Sequence, residues 1–134
     1  MKLKLKYSKI IPFSGYYAIT IFNSLFRRDK YKDKPISQIT YNHESIHLEQ
    51  ELDFVFGCEK LYILGGIIFY IWYLVEWIIK GICSIFTLGK IKAYRSISFE
   101  QEAYKNQNNL RYLDNRKRFN WIKNVFRCIN NGNN

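Results

Sequence analysis

Histidine is almost missing from this chain: His43 and His47 are the only two in 134 residues. Methionine is confined to Met1, and proline to Pro12 and Pro35. Cysteine occurs at Cys58, Cys83 and Cys128, with no CxxC pair. An odd number at wide spacing excludes a disulfide framework and points to a reducing compartment. Acidic residues are outnumbered, 11 Asp+Glu against 21 Lys+Arg, which leaves a net charge of +10. The N-terminus alternates Lys with apolar residues and has no unbroken apolar run behind it, so a cleaved secretory signal is not expected. There is no internal repeat and no recognisable RNA- or DNA-binding motif.

What is present is ordinary in bulk. A composition 48% hydrophobic and 24% charged excludes a wholly disordered, a collagen-like and a multi-span membrane chain. The length fits one domain, 1–129, with a frayed tail at 130–134. The positive excess gathers at Arg27–Lys34, Lys90–Arg95 and Arg111–Arg127. It either solubilises a face or favours an anionic surface. Without a nucleic-acid motif, an acidic membrane ranks above nucleic acid, for which no specific binding is expected. The expected location is cytoplasmic, with peripheral contact to the inner face of the membrane.

The patterning predicts an α+β fold: an N-terminal β-hairpin or small sheet followed by a mostly helical domain. Leu3 to Phe26 reads as strand, turning at Ser14-Gly15. Arg27 to Lys34 reads as a loop closed by Pro35. Ser37 is a candidate N-cap for an amphipathic helix from Gln38 to Phe56, ended by Gly57. A further helix is expected from an N-cap at Ser98 through Tyr112, and a basic one over Arg116–Ile129.

The chemistry lies in the first helix. Residues 43–47 read His-Glu-Ser-Ile-His, an HExxH motif that uses every histidine in the chain. Spacing i, i+4 puts both imidazoles on one helix face, where they can reach one metal. Glu44, rotated about 100° from His43, can take a proton from a water activated by that metal. The bland alternative is a helix carrying two histidines by coincidence.

Catalytic zinc takes three protein ligands and keeps one position open. With no third His and no second Met, HExxHxxGxxH with a Met-turn is excluded. A carboxylate, or less readily a Cys, must complete the set. Asp53, Glu59, Glu76, Glu100, Glu102 and Asp114 lie downstream, and spacing alone does not choose among them. Asp53 and Glu59 need a tight reversal, and Glu76 has Lys80 as an intrahelical partner. Glu100 and Glu102 lie about 200° apart on a helix, so only one can face the metal.

Asn42 to His47 followed by Ser98-Phe99-Glu100-Gln101-Glu102-Ala103-Tyr104 resembles the gluzincin class of metallopeptidases. The likeness is greatest to the CAAX prenyl protease and heat-shock membrane protease branch. It is also similar to small bacterial zincin-like proteins that join NHExxH to a downstream FExEAY. The resemblance covers about fifteen residues and implies a minimal zincin-like domain. It also implies zinc held by His43, His47 and Glu100, Glu44 as general base, and a peptide or protein substrate. Tyr104 stands where that branch carries an Asp that orients a ligand His, so its phenol is the candidate acceptor of an imidazole N–H. The family's transition-state His has no counterpart; Arg95, Tyr94 and Tyr112 are the candidates for its role. This departure motivates the alternative of a degenerate zincin working as a basic membrane-surface or partner-binding module.

Leu61 to Leu88 is the most apolar stretch, with Glu76 and Lys80 its only charges. It is long enough for one membrane crossing and too short for two. One crossing would separate His43 and His47 from Glu100, so the segment must be a buried core helix or helical pair, or an interfacial one. For the N-terminal strands, a structural role is preferred over binding peptide along Ile19–Phe26 by strand addition.

Overall fold

The computed structural model describes residues 1–12 and 17–130. The fold is α+β: a small three-stranded sheet followed by helices. Strands β1 (Lys4–Ser8), β2 (Ala18–Ile21) and β3 (Ser24–Arg28) lie in the order β1-β3-β2. β1 runs parallel to β3, and β2 antiparallel to it. The hairpin thus joins β2 to β3 through Phe22 and Asn23, and the expected Ser14-Gly15 turn lies outside the described residues. Arg27 and Arg28 belong to β3 rather than to a loop. Arg27 is fully buried, its guanidinium over the Tyr17 ring and bonded to the Lys34 carbonyl, so one member of that basic cluster is not surface charge.

Helix α1 (Gln38–Asp53) starts at Ser37, whose side chain accepts from the Thr40 amide, as the sequence leads one to expect. It ends three residues before the expected Phe56, and the Gly57 amide then closes on the Leu52 carbonyl. Gly57, with φ of +79°, takes the left-handed conformation that suits glycine. Buried Leu48 packs against Leu3 and Leu25 of the sheet side.

Helix α2 (Tyr62–Phe86) is one continuous helix, not a pair. Nor is it a buried core helix, because only a narrow seam of it is covered. Gly65 lets that seam close on α1: a methyl there would run into the Glu51 carbonyl oxygen. Glu76 and Lys80 do not form the bridge their spacing favours. Glu76 accepts from the Ser98 amide and hydroxyl at 2.9 and 2.7 Å. Lys80 donates to the Val125 and Arg127 carbonyls at 2.7 and 2.8 Å. Buried charges must find partners, and here the partners are main-chain groups at one helix start and in the C-terminal segment.

Helix α3 (Ser98–Asn106) is shorter than expected and is preceded by Ile97 as N-cap, because the Ser98 hydroxyl serves Glu76 instead. The expected basic helix over 116–129 is replaced by a short 3-10 turn at Asn120–Asn124. Its Trp121 packs with Phe99, Phe69 and Ile97 in an aromatic core between α2 and α3. Asn130, placed by the sequence in a frayed tail, bridges to Ile91; residues 131–134 lie outside the described residues.

Candidate metal centre

α1 and α3 face each other across a largely buried polar network. Arg116 donates to both Asp53 oxygens at 3.0 and 2.7 Å, and to Glu102 Oε1 at 2.7 Å. Gln50 adds a bond to Glu102 Oε2 at 3.0 Å. This clamp fixes the rotation of α3, pointing Glu102 into the network and Glu100 at the histidines.

His43, His47 and Glu100 converge, all buried. The two Nε2 atoms are 3.2 Å apart. His43 Nε2 lies 3.5 Å from Glu100 Oε2, and His47 Nε2 3.4 Å from Oε1. Donors about 2.0–2.1 Å from one tetrahedral ion sit roughly 3.3 Å from each other. Charge-assisted N–H···O bonds run at about 2.7–2.9 Å. The spacing is therefore too wide for good ion-pair hydrogen bonds and matches the edges of a coordination tetrahedron.

Protonation supports the same conclusion. Gln50 Nε2 donates to the Phe99 carbonyl and to Glu102, which turns Gln50 Oε1 toward His47 Nδ1 at 2.8 Å. Nδ1 must then carry the proton, and the Nε2 lone pair faces inward. Gln107 Oε1 faces His43 Nδ1 at 3.0 Å. Unprotonated Nε2 atoms and a carboxylate repel one another unless a cation stands among them. With no metal, a proton fills that role: burial lowers the His47 pKa, but the Glu100 carboxylate outweighs it and raises the group to about 9. Glu100 is held well below the usual carboxylate range: burial raises it, and the two imidazoles outweigh that.

Glu44 lines a mostly apolar cavity of about 440 Å3 beside the triad. Its Oε2 accepts from the Thr20 amide of β2 at 2.8 Å. The Tyr70 hydroxyl takes the Thr20 carbonyl at 2.8 Å, so both outward main-chain groups of Thr20 are engaged. Tyr73 donates to Glu100 Oε1 at 2.9 Å.

The other candidate ligands stand elsewhere. Asp53 and Glu102 hold Arg116, Glu59 pairs with the N-terminal amine, Glu76 holds Ser98, and Asp114 meets Arg111. Tyr104 lays its ring against the His43 ring at 4.8 Å, and the imidazole N–H goes to Gln107 rather than to its phenol. Arg95 is exposed and caps the Tyr104 ring at 4.0 Å, outside the cavity wall. Tyr94 lines the cavity, whereas Tyr112 donates to Glu102. Gln50, Gln107, Thr20 and Tyr73 escaped the sequence reading. Only Gln50, three residues after His47 on the same helix face, left a usable signal.

Beneath the site, Glu51 is fully buried and bonded by the Tyr70 hydroxyl at 2.9 Å. Burial pushes its pKa from 4.5 up to about 7, against the opposing pull of Tyr70 and His47. The folded chain then keeps a proton that the unfolded chain releases above its own pKa. The contribution of Glu51 to stability is fully present below pH 4.5, falls as pH rises through about 7, and is level beyond. Glu51→Gln removes this fall. In urea unfolding, it is expected to stabilise the protein by on the order of 3 kcal/mol at about pH 8, with no gain at about pH 4.

Comparison with known protein families, curated proteins and solved structures finds no match to this chain.

Proposed function

We propose that the protein is a zinc-dependent metallohydrolase, most consistent with a peptidase. The observation that carries this reading is the convergence of both imidazole Nε2 atoms and one carboxylate at tetrahedral spacing, with Glu44 beside them. His43, His47 and Glu100 would hold the ion, a borderline-soft N2O set that suits zinc. A bound divalent cation supplies the Lewis acidity that lowers the pKa of water and polarises a carbonyl. The protein's part is orientation and proton transfer. Gln50 fixes the His47 tautomer with a neutral amide oxygen, and Gln107 faces His43. The Thr20 amide anchors one oxygen of Glu44, and the second oxygen takes a proton from the attacking water and returns it to the leaving amine. The likeness to gluzincins in the two motifs supports a peptide substrate.

Metal analysis tests this. The purified chain is expected to carry about one equivalent of zinc, and His43→Ala and Glu100→Ala each to lose it. Glu102→Gln, which alters the other acid of the same helix, should keep the metal wherever the variant remains folded. Zinc-free wild-type protein that takes up no divalent ion on titration ends the proposal.

A further inference from the structure

α2 carries a second feature that the metal does not explain. Its covered seam runs through Gly65, Phe69, Tyr73, Glu76 and Lys80. Opposite that seam at 100° per residue stand Ile67, Ile71, Ile78, Ile82 and Ile85, all exposed. Between Tyr62 and Phe86 the only charged side chains are the two buried ones. The outer face therefore offers lipid-like surface for about seven turns, roughly 37 Å, with no exposed charge. Phe86, Leu88 and Phe126 extend it, at 84%, 90% and 96% exposure. Water-facing monomers do not leave so large an apolar patch uncovered.

Two observations select the occupant. Trp72 and Trp77 lie about 140° apart, one on each flank of the seam, where the apolar face meets the polar domain. Indole favours such a boundary between hydrocarbon and water. Exposed Lys60 and Lys90 bracket the helix, and exposed Lys123 and Arg127 stand in the segment that Lys80 holds against it. Apolar side chains ringed by indoles and cations fit the acyl chains and headgroups of an acidic bilayer.

The helix has the length to cross a membrane, with mean hydropathy 1.8 over its most apolar window. It is nonetheless tied to polar groups of the domain along its inner side. Tyr70 bonds Thr20, Tyr73 bonds Glu100, Glu76 bonds Ser98, Lys80 bonds Val125 and Ser84 bonds the Ile91 carbonyl. Crossing would drag these groups and the charged surface behind them into hydrocarbon. We infer that α2 lies in the plane of an acidic membrane, its outer face sunk into one leaflet.

The test is co-sedimentation of the full chain with phosphatidylcholine vesicles, with and without phosphatidylglycerol. The chain is expected to partition into the acidic vesicles, with tryptophan emission quenched by bromine-labelled acyl chains. Ile71→Glu and Ile78→Glu, both on the uncovered face, are each expected to weaken partition about tenfold or more while circular dichroism stays that of the parent. His43→Ala should partition like the parent, so the result is independent of the metal. A chain that stays in solution with acidic vesicles overturns the inference, whether it is a monomer or a dimer that Ile71→Glu separates. Equal partition into neutral vesicles overturns the acidic headgroup assignment.

Discussion

Glu44→Gln is expected to retain zinc and to lower peptide hydrolysis by about 10²–10⁴-fold, the span that a positioned general base contributes. Glutamine has the same shape and can still accept from the Thr20 amide through its carbonyl oxygen, so the geometry around Glu44 survives. What it cannot do is take a proton. Neither imidazole Nε2 is placed to substitute, because both point at the position that the metal would hold. Metal content and turnover of a peptide library, measured on the same preparation, separate the two effects. Equal turnover in variant and parent would remove Glu44 from the chemistry. Loss of zinc together with activity would instead make Glu44 a structural support.

Arg116→Ala is expected to cost about 3–5 kcal/mol of stability, because it leaves Asp53 and Glu102 buried and unpaired. Arg116 presents its planar fork to both acids, and the Glu102 carboxyl is held below its ordinary value: burial raises it, and Arg116 outweighs that. Lysine offers one compact charge and cannot bridge both carboxylates, so Arg116→Lys should recover only part of the loss. Denaturant unfolding measures both variants. The damage should reach the site as well, since Glu102 bonds Gln50 and Gln50 orients His47. A variant as stable as the parent would show that the clamp does not hold α1 to α3.

The first helix was legible because its signals are local. Ser37 sits where an N-cap belongs, and i, i+4 spacing fixes how His43 and His47 share a face. The partner helix was legible in position but not in extent. The Ser98 hydroxyl that would have capped it answers to Glu76, 22 residues earlier, and no local rule contains that contact. The misread Glu76–Lys80 pair has the same origin: spacing favours a bridge, and burial assigns each charge to a distant main-chain group instead. Gln107 and Thr20 were beyond reach because each meets its partner only after α3 and the sheet have docked on α1. The exposure of α2 was equally hidden, since apolarity alone does not tell a core helix from an outward one.

The bond from Thr20 to Glu44 couples that carboxylate to the thinnest part of the protein. β2 has four residues and a neighbouring strand on one side only, the kind of element that frays well before a domain melts. Each opening of that strand sets the carboxylate adrift while the helices stay packed. Deuterium uptake at a single amide, that of Thr20, would count how often the Glu44 carboxylate loses this anchor.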